Sequence, residues 1–116
     1  MAAGYTAARS GRFYTITPNS VGMADWDWTA LGAPESGPQG ICVRSINFSA
    51  SGADTLIIRD GSTTGPEIYR LATAAATDDA PNREGFGKGV WMRPYILASE
   101  QTFTTPANCH ITFELA

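Results

Sequence analysis

The sequence predicts a single-domain all-β protein, an antiparallel β-sandwich of jelly-roll-like form. Its 116 residues suit one domain, and a hydrophobic content of 43% is enough to form a core. Apolar and polar residues alternate over short runs, which is the pattern of half-buried strands. These runs are separated by turns rich in glycine and proline, and no long stretch has helical periodicity.

The first residues of the chain differ from the rest. Met1–Gly11 consists of small and polar residues without a periodic pattern, so we predict a flexible N-terminal arm over residues 1–11 and the β-sandwich over residues 12–116. The segment does not have the basic and apolar parts of a secretory signal. No apolar run in the sequence approaches the roughly 20 residues that a membrane-spanning helix needs.

The strands are predicted from the alternation. It is clearest in Cys109–Leu115, where one face is apolar and the other polar. Near the middle of the chain, the apolar phase switches from Ile41 and Val43 to Ile46 and Phe48, which indicates a β-bulge or burial on both faces. The other predicted strands cover Arg12–Ile16, Leu56–Arg59, Ile68–Leu71 and Val90–Leu97.

Proline and glycine predict the breaks between strands. Pro94 cannot donate a backbone hydrogen bond, so we expect it to divide Val90–Leu97 into two short strands. Thr29–Gly40 and Thr77–Gly89 are predicted to be long loops. Loops of this length in a small domain usually serve as binding or packing surfaces.

Charge restricts the classes of partner. The formal net charge is −3, from 8 basic and 11 acidic residues, which argues against binding to nucleic acid or to an anionic membrane. Only 16% of the residues are charged, against roughly 25% in typical soluble domains. Lys88 is the only lysine, and arginine is favoured over lysine at protein interfaces. This composition fits a protein covered by partners, and it fits a compositional bias of the genome equally well.

The candidate reactive residues do not form a recognisable motif. His110 is the only histidine and lies on the polar phase of a strand, so we interpret it as a surface residue. Cys42 and Cys109 do not have the spacing of a metal site, and the sequence leaves open whether they are free or form one disulfide. Gly85–Gly89 precedes a strand instead of opening a helix, which argues against a phosphate-binding loop. We predict no metal and no cofactor.

Two pairs of aspartates were considered as further sites. Asp25 and Asp27 flank Trp26, and two carboxylates on one face of a strand can act as a glycosidase pair. A solvated acidic face beside buried tryptophans is the favoured interpretation. Asp78 and Asp79 do not have the spacing of a calcium-binding loop. We therefore predict no catalytic residue and no enzymatic activity, unless the fold brings His110 to a buried carboxylate and a nucleophile.

The most distinctive segment is Arg59–Leu71, which reads as strand, turn and strand. Asp60 and Gly61 begin the turn, through a side-chain hydrogen bond and access to positive φ, while Gly65 and Pro66 end it. This segment resembles a hairpin of small virion proteins of tailed bacteriophages, which consists of an apolar strand, an Asp-Gly turn, Thr-Gly-Pro and a second strand.

The likeness to these phage proteins extends over Ile41–Leu115. It implies a capsid decoration or cement protein that is made in the host cytoplasm and is located on the capsid exterior. Such a protein binds the major capsid protein across subunit junctions, as a homodimer or homotrimer. Pro94 and the long loop over residues 77–89 depart from the pattern, and no site residue of the family can be transferred. A tail or baseplate adaptor is compatible with the same hairpin.

Four aromatic residues are candidates for the interface. Trp26, Trp28, Trp91 and Tyr95 have the side chains that contribute most to protein interfaces, and we expect about half of them to lie in the core instead. The alternative from another functional class is a carbohydrate-binding β-sandwich module. In that case exposed, coplanar rings of these residues would form a platform for a sugar.

Overall fold

The structure is a computed structural model that describes residues 5–18, 25–31, 39–62, 64–72, 82–105 and 108–116. The strands in these residues are β1 (Tyr5–Ser10), β2 (Phe13–Pro18), β3 (Trp26–Asp27), β4 (Ile41–Ser49), β5 (Thr55–Asp60), β6 (Glu67–Ala72), β7 (Asn82–Met92), β8 (Pro94–Ile96) and β9 (His110–Leu115). Short 3₁₀ turns cover Trp28–Leu31 and Ala98–Glu100. The strands form two antiparallel sheets, ordered β1-β2-β9-β4-β7 and β3-β8-β5-β6. The predicted all-β sandwich is confirmed.

The strands pair in a nested order. β2 pairs with β9, β3 with β8, β4 with β7 and β5 with β6. This is the order of one long hairpin, in which β2 to β5 form the first arm and β6 to β9 form the second arm. The hairpin is wrapped so that β9 also pairs with β4, and β8 with β5. Two sheets connected in this way make a jelly roll, with β1 added beside β2.

The core lies between the two sheets. Alternate side chains of each strand point inward, and burying each large apolar side chain contributes roughly 1.5–3 kcal/mol. Trp26 on β3 stacks on Phe113 of β9, with ring centroids 5.3 Å apart and planes inclined by 16°, and Tyr14 of β2 lies 5.9 Å from Trp26. The largest fully buried side chains are Trp26, Phe48, Phe113, Ile16, Ile41, Ile46, Leu56, Ile58, Ile96, Ile111 and Val43.

Two predicted irregularities are present. The registers of β4 against both β7 and β9 shift between Val43 and Ser45, so the phase switch in the sequence does mark a β-bulge. β7 ends at Met92 and β8 begins at Pro94, which confirms the expected division into two strands. Arg93 lies between them at the corner where the chain passes from one sheet to the other.

The predicted N-terminal arm is a strand over most of its length. Tyr5–Ser10 pairs with β2 from Tyr5 opposite Pro18 to Ser10 opposite Phe13, and residues 1–4 lie outside the described residues. The side chains of residues 6–10 are all exposed. Tyr5 packs against the core, and the exposed residues that follow it do not need an apolar alternation, so backbone hydrogen bonds to β2 hold most of this strand.

The long loop predicted over Thr77–Gly89 is also partly a strand. β7 begins at Asn82 and pairs with β4 along most of its length, while residues 77–81 lie outside the described part of the chain. Gly87 and Gly89 adopt positive φ angles of 61° and 118°. Glycine therefore permits an irregular edge strand where the sequence reads as a loop. Of the loop predicted over Thr29–Gly40, residues 32–38 likewise fall outside the description.

The hairpin between β5 and β6 holds a corner of the sandwich. The Asp60 amide donates to the Pro66 carbonyl at 2.8 Å, and Gly61 has the predicted positive φ, 86°. Gly65 has no space for a Cβ, which would collide with the Asp60 carbonyl. The Asp60 carboxylate accepts from the Arg93 amide at 2.9 Å, and the Gly61 amide donates to the Arg93 carbonyl at 2.8 Å. The aspartate therefore joins the turn to the β7–β8 corner, whereas the sequence predicted a bond within the turn.

A buried aspartate joins the loops at the other end. Asp54 is 1% exposed and accepts from the amides of Ser51 and Thr104 at 2.7 Å each. It also accepts from the Ser51 hydroxyl at 2.8 Å and from the Cys109 thiol at 3.1 Å. Burial alone would raise the pKa of Asp54, but these hydrogen bonds outweigh it and hold the pKa well below its ordinary value. The carboxylate connects the β4–β5 loop to the segment before β9.

Replacing this carboxylate should destabilise the fold. In Asp54→Asn the amide group presents donors to groups that themselves donate, so we expect the free energy of unfolding at pH 7 to fall by about 3 kcal/mol. Urea denaturation measures the change. The exposed Ser99 supplies the control, because Ser99→Ala should change the free energy by less than about 0.5 kcal/mol. Equal effects of the two substitutions would contradict the assigned role of Asp54.

The same carboxylate should make the stability depend on pH. Its pKa is lower in the folded state than its ordinary value of 3.8, so its contribution is complete at higher pH and is lost as the pH falls below 3.8. The difference in unfolding free energy between the wild type and Asp54→Asn should therefore be constant from pH 7 to about pH 5 and shrink towards about pH 2. A difference that stays constant down to about pH 2 would show that the Asp54 carboxylate is not preferentially stabilised by folding.

Candidate functional site

The four predicted interface aromatics differ in exposure. Trp26 is 1% exposed and belongs to the core, so it is not available to a partner of the folded chain. Trp28 begins a 3₁₀ turn and is half-buried against the core instead of sharing a strand face with Trp26. Tyr95 is also half-buried. Trp91 is the exposed member of the group, with 54% of its surface accessible.

The exposed parts of these aromatics do not form one platform. Trp91 lies opposite Cys42, on the outer face of the five-stranded sheet. Tyr95 lies opposite Arg59 and Asp27, on the outer face of the four-stranded sheet. The two rings are therefore on opposite sides of the sandwich. The sugar-binding platform that the sequence analysis considered for these four residues does not assemble.

Val90 and Trp91 form an apolar edge patch. They are consecutive residues of β7, which is the outermost described strand of its sheet, and they are 48% and 54% exposed. Because side chains alternate along a strand, they flank the backbone of this edge on its two sides. Met92, the next residue, is buried opposite Ile41 and anchors the strand. The patch therefore combines two large apolar side chains with an edge backbone that is held in place.

The outer face of the five-stranded sheet also contains a shallow cavity of about 390 Å³, which we call the sheet depression. It is lined by Phe13, Ser45, Asn47, Thr112 and Glu114. These residues occupy two adjacent rows across β2, β9 and β4, with Phe13 opposite Glu114 and Glu114 opposite Ser45 in one row, and Thr112 opposite Asn47 in the next.

The depression is held by hydrogen bonds within the sheet face. The Ser45 hydroxyl donates to Glu114 at 2.9 Å, and the hydroxyls of Thr112 and Thr15 are 3.2 Å apart. Beyond Ser45 the next residue in the row is Gly85, which adds no side chain. The row is therefore open on the side of β7. Phe13, 48% exposed, provides an aromatic ring among the polar residues that line the depression.

The residues of the depression were not predicted from the sequence. A signal was present, because Phe13 has the same strand phase as Thr15 and Thr17 and the opposite phase to Tyr14 and Ile16. An aromatic residue on the polar phase of a strand points away from the core. The register that places it across from Glu114 depends on long-range pairing, which the sequence did not specify.

His110 and Asp27 are each hydrogen-bonded to a neighbouring threonine. His110 is exposed on the sheet face, as predicted, with its Nδ1 2.9 Å from the Thr17 hydroxyl. Asp27 accepts from both the amide and the hydroxyl of Thr29, so its carboxylate caps the 3₁₀ turn. Asp25 is exposed at the start of β3. The carboxylate of Asp27 therefore stabilises a local turn.

The described residues contain neither a metal-binding group nor a membrane-spanning helix. Among them no three histidine, cysteine, aspartate or glutamate side chains come together as a metal-binding group. Asp78 and Asp79 lie outside the described residues. Within the same part of the chain, no helix has the length and apolar character to cross a membrane.

The outer face of the four-stranded sheet contains a network of paired charges. Arg59 donates to Glu100 through Nε at 3.0 Å and through a terminal nitrogen at 2.6 Å, and to the Gly65 carbonyl at 2.9 Å. Arg70 donates to both carboxylate oxygens of Glu67, at 2.8 and 2.9 Å. The hydrogen bond to Glu100 raises the pKa of Arg59, and that from Arg70 lowers the pKa of Glu67. These charges join β5, β6 and the 3₁₀ turn at Glu100 to one another.

The two cysteines are free and far apart. Cys42 is half-buried at the start of β4, and Cys109 is buried just before β9. Almost the whole length of β4 separates them, roughly 20 Å, which is too far for a disulfide. Burial raises the pKa of the Cys109 thiol to about 11, and the neighbouring Asp54 carboxylate acts in the same direction.

The comparisons with known proteins found no relative. No protein-family model matches the chain, and no match was found among curated proteins or solved structures. The resemblance of the hairpin to phage virion proteins therefore stays a prediction. Among the described residues, the edge patch and the sheet depression are the surface features from which we infer function.

The thiols should react at very different rates. In the native protein at pH 8, we expect iodoacetamide to modify Cys42 first and Cys109 only after unfolding, because Cys109 is buried and its pKa is raised to about 11. Intact mass and peptide mapping measure the two sites. In Cys42→Ser the fast reaction should disappear. Fast native labelling of Cys109, or a mass that shows an intramolecular disulfide, would contradict this arrangement.

Proposed function

We propose that this chain is a non-enzymatic structural protein of a tailed-phage virion, a decoration or cement protein on the capsid exterior. In this role it binds the assembled capsid and bridges neighbouring major capsid protein subunits. The observation that supports the proposal most is the edge patch of Val90 and Trp91 on a rigid sandwich. The resemblance of the Arg59–Leu71 hairpin to phage virion proteins is the second support.

The edge patch has the chemistry of an interface anchor. Tryptophan combines a large apolar surface with few rotatable bonds, and its replacement by alanine at an interface centre typically costs 2 kcal/mol or more, which is about 30-fold in affinity. The backbone of Trp91 is fixed between its pairing with Cys42 and the buried Met92. Little backbone conformational entropy is therefore lost when a partner covers the ring.

The backbone beside the patch favours contact with an extended segment. An edge strand can accept a further strand through its free hydrogen-bonding side. Gly87 and Gly89, with their positive φ angles, interrupt the regular geometry of β7 and limit such pairing to the end that contains Val90 and Trp91. We propose that a strand or loop of the major capsid protein occupies this end.

The opposite face of the sandwich is less suited to adhesion. There Arg59, Glu100, Glu67 and Arg70 are already paired with one another, so a partner would have to compete with existing ion pairs. A partner that covers the apolar edge patch does not have to break these ion pairs. This contrast favours attachment through β7 over attachment through the four-stranded sheet.

The mechanism is thermodynamic linkage. A protein that binds only the assembled shell stabilises it by RT ln(1 + [L]/Kd), which is about 2.7 kcal/mol for each site when the concentration is 100 times Kd. A homodimer or homotrimer that spans two capsid subunits gains further affinity, because its second contact forms at a high effective concentration. This mode of action requires no reactive side chain.

Trp91→Ala should weaken attachment to the shell while the domain stays folded. Because Trp91 is 54% exposed, we expect little change in melting temperature and a loss of about 30-fold in affinity for empty shells measured by co-sedimentation. Phe13→Ala is the matched control, since Phe13 is similarly exposed but lies on β2, near the opposite edge of the same sheet from β7. It should bind shells like the wild type.

Three outcomes would contradict the proposal. Wild-type protein that does not sediment with shells, and is strictly monomeric by light scattering, would exclude a bridging role. Equal shell affinities of the wild type and Trp91→Ala would exclude the edge patch. Sedimentation with purified tails instead of shells would favour the tail or baseplate adaptor.

A further inference from the structure

The sheet depression on the outer face of the five-stranded sheet is a second candidate site. It is separate from the edge patch, because Phe13, Thr112 and Asn47 lie on β2, β9 and β4, whereas the patch lies on β7. The cavity of about 390 Å³ is at the lower end of the range of ligand sites, roughly 300–1,000 Å³. Its size suits a small ligand, such as the end of a larger molecule.

The lining defines the chemical class of this ligand. Ser45, Thr112 and Asn47 supply two hydroxyls and an amide, groups that both donate and accept hydrogen bonds, and Glu114 supplies a carboxylate. None of the described residues that line the depression is positively charged, which disfavours phosphates and other anions. A ligand with many hydroxyl groups matches a lining of this kind, because each hydroxyl can donate one hydrogen bond and accept others.

The aromatic ring narrows the class further. Phe13 is 48% exposed at the wall of a polar cavity, beside Glu114 in the sheet register. The following residue, Tyr14, is buried, so the backbone that carries the ring is fixed. An exposed aromatic face pairs well with the C–H face of a sugar ring, while the hydroxyls at the ring edge reach the polar groups.

The geometry points to a saccharide-binding site in the sheet depression, in which Phe13 stacks on a neutral sugar ring and Asn47, Thr112 and Glu114 hydrogen-bond its hydroxyls. Ser45 holds Glu114 in place through its hydrogen bond of 2.9 Å. An organic ammonium ion is the competing ligand, since it would lie between a ring and a carboxylate. Sites for such cations usually enclose the charge in several aromatic rings, whereas the described residues of this lining include one.

The experiment is a titration of the ¹⁵N-labelled full chain, followed by amide chemical shifts. The probes are the methyl glycosides of glucose, galactose, mannose and N-acetylglucosamine, with tetramethylammonium as the cation probe. We expect at least one glycoside to bind saturably with a millimolar Kd, as is usual for a small shallow site. The shifts should be confined to the residues that line the depression and their neighbours in β2, β4 and β9.

Matched variants separate the site from its surroundings. Phe13→Ala and Asn47→Ala should each weaken binding by roughly tenfold or more, whereas Phe13→Tyr should keep it because the ring remains. Ser49→Ala is the control, since Ser49 is on the same strand and face as Asn47 but outside the cavity lining. It should bind like the wild type.

The results also distinguish this site from attachment to the capsid. Trp91→Ala should bind the glycoside with wild-type affinity. If the edge patch does not bind shells, the saccharide site can therefore still be tested and supported independently. The site would be refuted if no glycoside produced saturable shifts, if the shifts mapped elsewhere, or if Ser49→Ala lost as much affinity as Asn47→Ala. Saturable binding of tetramethylammonium in place of the glycosides would also refute it.

Discussion

The stack of Trp26 on Phe113 is the contact on which the sandwich depends. Trp26 belongs to a two-residue strand of the four-stranded sheet, and Phe113 to the centre of the five-stranded sheet, so their contact at 5.3 Å joins the two layers. A strand of two residues has few backbone hydrogen bonds, and β3 is held by its side chain. Tyr14 beside Trp26 extends the aromatic contact to a third strand.

Once the sheets are joined in this way, the two outer faces take different roles. On the four-stranded sheet Arg59, Glu100 and their neighbours pair with one another and hold the hairpin in place. On the five-stranded sheet Phe13 and Trp91 stay exposed, one beside a polar cavity and one on an open edge. The proposed attachment and the proposed saccharide site both use this second sheet, at different strands.

The sequence predicts those features that depend on local pattern. The phase switch between Val43 and Ile46 gives the bulge, and Pro94 gives the break before β8, because both effects act on the strand that contains them. β1 was not predicted, since all of its side chains after Tyr5 are exposed and show no alternation. Alternation predicted a buried Trp26 beside a solvated Asp27, but not that Trp26 stacks on Phe113 of the second sheet, because that contact depends on how the two sheets pack. The buried role of Asp54 was not predicted, because its partners Thr104 and Cys109 are about fifty residues away in the sequence.

Electron cryomicroscopy of empty shells saturated with this protein tests the central claim most directly, because it locates the protein and its orientation together. The account predicts jelly-roll density on the shell exterior at junctions between capsid subunits, with the Val90–Trp91 end of β7 against the shell. Shells without added density, or density attached through the ion-paired face of the four-stranded sheet, would contradict it.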